Sequence, residues 1–189
     1  MNAKLASEAT GPLKGIRIVD LTSVVFGAYA TQMLGDLGAD VIKVEFPGGR
    51  RGGGGDTMRW TGAVPEGVQE DGLGPIFMTI NRNKRSMLLD LRDPKAMKAF
   101  HRLMRTADVF AASVRYEGLK RLGLDYESLK AVKRDIVYVH AAGYGSDGPY
   151  AGEPAYDDLV QSASGMADLL CRTDGDPKPR LLPTLERET

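Results

Sequence analysis

Cysteine is almost missing from this chain: Cys171 stands alone among 189 residues. That excludes an intrachain disulfide framework and a multi-cysteine metal site, and it suits a reducing compartment, so a cytoplasmic location is expected. Histidine is nearly as scarce. No Ser/His/Asp or Cys/His constellation can be assembled, and His101 reads as a boundary residue beside a helix's apolar face. No metal centre is expected. Net charge is absent too, with 25 basic and 25 acidic residues, which removes the electrostatic case for nucleic acid or an anionic membrane as partner. No apolar run is long enough to span a bilayer. Residues 1–12 lack the apolar centre of a signal peptide and read as a loose tail. What is present is the ordinary make-up of a globular protein, 42% hydrophobic and 26% charged.

Residues 15–45, GIRIVDLTSVVFGAYATQMLGDLGADVIKVE, organise the rest. Ile16, Ile18 and Val19 favour a strand over residues 15–21. A short turn at 22–26 leads into a helix over 27–37, in which Ala30, Met33, Leu34 and Leu37 recur at helical spacing and predict a face packed on a sheet. Gly38 stops that helix, and DVIKVE is a second strand. A strand–helix–strand unit of this length predicts a right-handed crossover between parallel strands. Ligands on such sheets bind at the strands' carboxyl ends, so the 22–27 turn and the residues after Glu45 are the first places to seek a site.

Residues 47–60 contain six glycines. They read as a flexible surface loop, or more sharply as an anion-binding loop charged by Arg50, Arg51 and Arg59. No Walker motif is present, since Gly-Lys-Ser/Thr is missing. Order returns at 76–81, and residues 87–91 predict a buried strand entered from a basic turn with Arg82, Lys84 and Arg85. Asp93-Pro94 starts a helix with Met97, Phe100, Leu103 and Met104 inward. Strands follow at 107–114 and 135–140, with Asp125 capping a helix through Val132 between them. Gly143, Gly145 and Gly148 have the GxGxxG spacing, but prolines stand where a dinucleotide site needs a helix, so the fingerprint is rejected. One helix is predicted over 155–170, with Leu159, Val160, Ala163 and Met166 inward. Asp157 and Asp158 are adjacent, so on a helix they diverge by about 100° and cannot pair as acid and base. The fold class is α/β with a mostly parallel sheet and flanking helices. Three strand ends, at 22–27, 113–115 and 142–145, are expected on one edge. Their glycine N–H groups, Tyr144, Arg115 and Arg121 suit a phosphate-bearing ligand with an organic or acyl part.

The opening unit, then NRNKRSMLLDLRDP, RLGLDYESLKA, YVHAAGYGSDGPYAGEPAYDDLVQSASG and PRLLPT, resemble in this order the class III coenzyme A transferases. These are relatives of formyl-CoA transferase, carnitine CoA-transferase and alpha-methylacyl-CoA racemase, and the resemblance runs from about Leu13 to Thr184. It implies a Rossmann-like large domain, of which residues 13–189 would be an incomplete N-terminal portion lacking the second domain. It also implies coenzyme A and acyl-CoA as substrates with no permanently bound cofactor, a carboxylic acid as acceptor, and full-length relatives that are interlocked homodimers. By position, Val24, Val25 and Phe26 would line the coenzyme channel, and Leu89, Leu91 and Arg92 would meet its adenosine end. Arg115 and Arg121 would meet the phosphates and pantetheine, with Ser113 and Val114 beside them, and Gly143, Tyr144 and Gly145 the thioester, where Tyr144 is also a candidate catalytic residue. Phe46 stands where some relatives carry an arginine by the adenine, and Val25 where many carry a glutamine.

Transferases of this family use an aspartate whose carboxylate displaces the CoA thiolate from the donor thioester, giving an acyl anhydride. The thiolate then forms an enzyme thioester, from which the acceptor carboxylate takes the coenzyme. The matching place falls at or next to Glu188, in a LERET stretch that departs from the family pattern. Glu188 is expected not to be catalytic, and the chain to be a truncated piece of a longer parent. Two other readings stay open, a racemase and a non-catalytic coenzyme-binding remnant. The racemase branch has a histidine where Tyr156 stands here, and a phenol with pKa about 10 is a poor base for an alpha proton.

Overall fold

The computed structural model describes residues 10–48, 54–62, 73–175 and 178–182. Five strands, β1 (Arg17–Leu21), β2 (Asp40–Glu45), β3 (Lys84–Leu88), β4 (Val109–Ala112) and β5 (Val137–His140), form one sheet in the order β3-β2-β1-β4-β5. Every pairing is parallel. The expected parallel α/β sheet is therefore present. Its order reverses between β1 and β4, the switch point at which such sheets hold ligands.

Helix α1 (Phe26–Asp36) and the short α2 (Pro75–Ile80) precede β3; α3 (Pro94–Met104), α4 (Tyr116–Arg121) and α5 (Tyr126–Val132) follow it. The predicted start of α3 is borne out: Asp93 accepts the Lys95 N–H at 2.6 Å, and Pro94 occupies the first turn. Phe100 and Met104 are fully buried with Val19, Phe110, Leu119, Leu124 and Leu129 in the main core, and Met97 and Leu103 pack on its margin. Asp125 caps α5 through Ser128.

Two expectations fail here in instructive ways. Helix α1 buries Gly27, Ala28, Thr31, Gln32 and Gly35, while Phe26, Tyr29, Ala30, Met33 and Leu37 face outward. The inward set is small or polar because the strands beneath present charge: Asp20, Lys43 and Glu45 all point to the α1 side and are buried. Of the predicted face only Leu34 packs, against Ile18 and Val41. The strand foreseen at 87–91 lies earlier, at Lys84–Leu88, and is an edge strand with exposed side chains. Leu91 has left the strand for the core instead.

The chain divides after Ala141 into two compact units. In the second, the single helix foreseen at 155–170 is two, α6 (Asp157–Ala163) and α7 (Met166–Asp174), broken at Gly165 with φ 79°. A left-handed residue ends an α-helix, and glycine adopts it without a Cβ clash. Leu159, Val160, Ala163 and Met166 are exposed, and the buried positions are Gln161 and Ala167. The Gln161 amide donates to Leu182 O at 3.0 Å and accepts Leu182 N–H at 2.7 Å. Among the described residues no helix is long and apolar enough to cross a membrane.

Candidate functional site at the sheet switch point

The carboxyl ends of β1 and β4 are joined by one side chain. Ser23 N–H donates to Ser113 Oγ at 2.9 Å, and Ser113 Oγ donates to Ser23 O at 3.4 Å. The Ser113 hydroxyl is thus committed to its neighbour strand. Thr22 is held by Asp20, whose Oδ1 accepts both its N–H at 2.8 Å and its hydroxyl at 2.5 Å. Val24 then turns the chain with φ 65°, a left-handed backbone that a β-branched residue rarely adopts. Gly27 is required here, since a Cβ would lie 2.7 Å from Thr22 Cγ2.

From this turn rises α1, whose first turn has neither a side-chain cap nor an acidic residue. The first N–H groups of a helix have no partner within it, so this helix start can offer donors and the positive end of its dipole to an anion. Val24 and Phe26 stand exposed at its foot, 45% and 65% accessible. Val25 turns partly inward, onto the small cluster of Ala28, Met58, Phe77 and Ile80. Arg115 stands at the N-terminus of α4, just after the β4 end, and Arg121 at that helix's C-terminal end, both exposed. His140, at the end of β5, lies with Nε2 2.9 Å from Val114 O and so braces the loop that carries Arg115.

On the other side of the switch, the ends of β2 and β3 meet through Phe46 and Arg92. The guanidinium lies 4.5 Å over the ring and is tied to Asp90 at 2.8 Å. Phe46 and Arg92 are both exposed, so planar groups on which a purine could stack stand at this edge. Leu89 is partly buried, packed on the core, and Leu91 is within it. Of the predicted adenosine set, only Arg92 presents its side chain.

Gly143, Tyr144 and Gly145 belong to the second unit. A Cβ at Gly143 would fall 1.9 Å from that of Ala155, so close packing within that unit requires the glycine. Tyr144 packs on Tyr150, with ring centroids 5.4 Å apart. Arg50, Arg51 and Glu188 lie outside the described residues. Among the described residues, no group of three or more His, Cys, Asp or Glu side chains is placed to hold a metal ion.

Sequence reasoning missed the charged layer beneath the turn. Lys84 Nζ sits 2.9 Å from Asp20 Oδ2 and donates to Ala28 O, Thr31 Oγ1 and Asn81 Oδ1. Burial pulls the Lys84 ammonium below its ordinary value, against the opposing pull of Asp20. Glu45 accepts Arg59 through both oxygens, Ser86 Oγ at 2.5 Å and Asp56 N–H at 2.7 Å. Burial alone would raise its carboxyl, but those bonds outweigh it and bring it down to about 2. The signal was legible: Asp20 and Lys43 interrupt otherwise apolar strands, and an inner strand of a parallel sheet has no solvent face to receive them.

A five-stranded, all-parallel sheet flanked by helices, whose order reverses at β1 and β4, defines an α/β protein of the Rossmann-like kind. The comparisons then fix which one. Residues 13–184 match CoA-transferase family III, and the chain belongs to that family. It is 41% identical over 167 residues to a succinate–glutarate CoA-transferase of Agrobacterium fabrum, covering 88% of this chain and 41% of that protein. It is 37% identical over 166 residues to the human succinyl-CoA:glutarate CoA-transferase, covering 88% and 36%. Among solved structures, a CAIB/BAIF family protein from Brucella suis superposes with TM-score 0.78 at 36% identity, over 91% of this chain and 43% of that one. The chain spans about two fifths of the length of the curated relatives it matches.

Proposed function

We propose that this chain forms the coenzyme A-binding part of an enzyme that moves CoA between an acyl thioester and a carboxylic acid. Family membership over residues 13–184 is the observation that carries this reading. The geometry supports it in three places. The uncapped start of α1 and the exposed Arg115 and Arg121 offer N–H groups and cations to a diphosphate, where charge-assisted bonds are strong. The Phe46–Arg92 surface offers a seat for the adenine. Val24 and Phe26 offer apolar contact to the pantetheine arm between them.

Residues 13–189 are read as the N-terminal portion of a CoA-transferase large domain, working in the cytoplasm and associating as a homodimer in its full-length form. Glu188, at the family's nucleophile position, is read as non-catalytic, because its extra methylene displaces the attacking oxygen. Transfer of labelled CoA from succinyl-CoA to a dicarboxylic acid, with Glu188→Gln as control, tests this. The expected result is coenzyme binding without transfer in either protein. Transfer that Glu188→Gln abolishes would overturn the assignment of Glu188.

A further inference from the structure

A buried ion pair lies directly under the switch-point turn and touches both of its limbs. Lys43 Nζ and Asp56 Oδ2 are 2.9 Å apart, each side chain 1% exposed. Lys43 Nζ also donates to Thr22 O at 2.7 Å, and Asp56 Oδ1 accepts the Val24 N–H at 3.4 Å. The peptide units on either side of Ser23 are therefore gripped by the two members of one pair. Asp56 arrives from the segment after β2, where its own N–H is fixed by Glu45 and its Oδ1 also caps the Thr57–Trp60 turn through Met58 N–H at 3.0 Å. Two neighbouring strand ends are thus coupled through Lys43.

Desolvating two charges is costly, and well-packed apolar residues of similar volume commonly stabilise a fold as well or better. What an apolar pair could not do is aim a donor at Thr22 O and an acceptor at Val24 N–H. Val24 needs such restraint, because its left-handed backbone is disfavoured for a β-branched residue and persists only where the surroundings over-determine it.

We propose that Lys43 and Asp56 are positioning residues that hold Thr22, Ser23 and Val24 in the strained shape in which the turn and the start of α1 meet the ligand. This rests on the reading of that turn as part of a coenzyme A site. Removing one charge would strand the other, so the informative variant is the neutral pair Lys43→Met with Asp56→Asn, which keeps the Asp56 acceptor. Amide exchange by NMR on the full chain is read beside calorimetric titration with CoA. With the donor to Thr22 O gone, the Ser23 and Val24 amides, which belong to the two gripped peptide units, are expected to exchange about tenfold faster while those of Val19 and Asp20 in β1 hold, and CoA binding is expected to weaken about tenfold. Adding Val24→Gly, which adopts positive φ freely, restores slow exchange in the turn.

Equal acceleration in β1 and the turn, without rescue by glycine, would overturn the proposal in favour of a general structural role. Unchanged exchange in the turn would overturn it as well. Should the neutral pair not fold, Lys43→Arg keeps the charge, displaces the donor from Thr22 and is read the same way. A wild-type chain that binds no CoA would remove the coenzyme reading alone, since the exchange pattern still decides whether the pair positions the turn.

Discussion

Lys84 and Asp20 form an ion pair across the face of one sheet, from strands separated by β2, 2.9 Å apart with side chains 1% and 0% exposed. Lys84 comes from the edge strand β3, yet its ammonium crosses beneath α1 to reach the end of β1. Removing it leaves the Asp20 carboxylate buried without its cation. Lys84→Met is expected to cost about 3–5 kcal/mol in urea unfolding. Arg82→Ala breaks a solvent-exposed pair with Asp36 and is expected to change the midpoint little. Equal effects would mean that burial of the Lys84 pair carries no special weight.

Glu45 gives a pH signature. Its carboxyl is lowered from 4.5 to about 2 in the folded chain, burial being outweighed by the bonds from Arg59, Ser86 and Asp56. The unfolded state therefore binds the proton more readily. The contribution, on the order of 3 kcal/mol, is fully present above pH 4.5 and is lost as pH falls towards 2. Chemical denaturation of wild type and Glu45→Gln across pH 7 to 3 should show the gap between them closing as the solution is acidified. A gap that stays constant with pH would contradict the assignment.

The outward face of α1 makes a sharp test of the packing. Met33→Glu with Leu37→Lys replaces two side chains that are 48% and 46% exposed, and adds an i,i+4 charge pair in the favoured order. Unfolding free energy should move by less than about 0.5 kcal/mol. If these residues formed the core face that periodicity predicts, the same change would cost several kcal/mol.

That helix shows where sequence reasoning holds and where it stops. The parallel α/β sheet, the Asp93 and Asp125 caps and the Phe100–Met104 core face were legible, because capping chemistry and apolar spacing act locally. The inward face of α1 was not, because it is set by what lies opposite. Asp20 on that side meets Thr31 of the helix, the buried positions of α1 are small or polar, and the apolar stripe is turned out. The position of the strand ends was legible for a related reason. The turn at Thr22, Arg115 and Arg92 sit at strand ends, which topology places on one edge. Gly143 and Leu91 are ligand contacts only by resemblance to the family; local sequence could not show that Gly143 packs on Ala155 and that Leu91 lies in the core.

Calorimetric titration of the full chain with coenzyme A tests the central claim most directly. One saturable site per chain is expected, and Arg115→Ala should weaken it about tenfold or more, the usual cost of a lost charge-assisted bond to phosphate. No heat of binding at millimolar coenzyme, or binding that Arg115→Ala leaves unchanged, would contradict the placement of the coenzyme at the switch point.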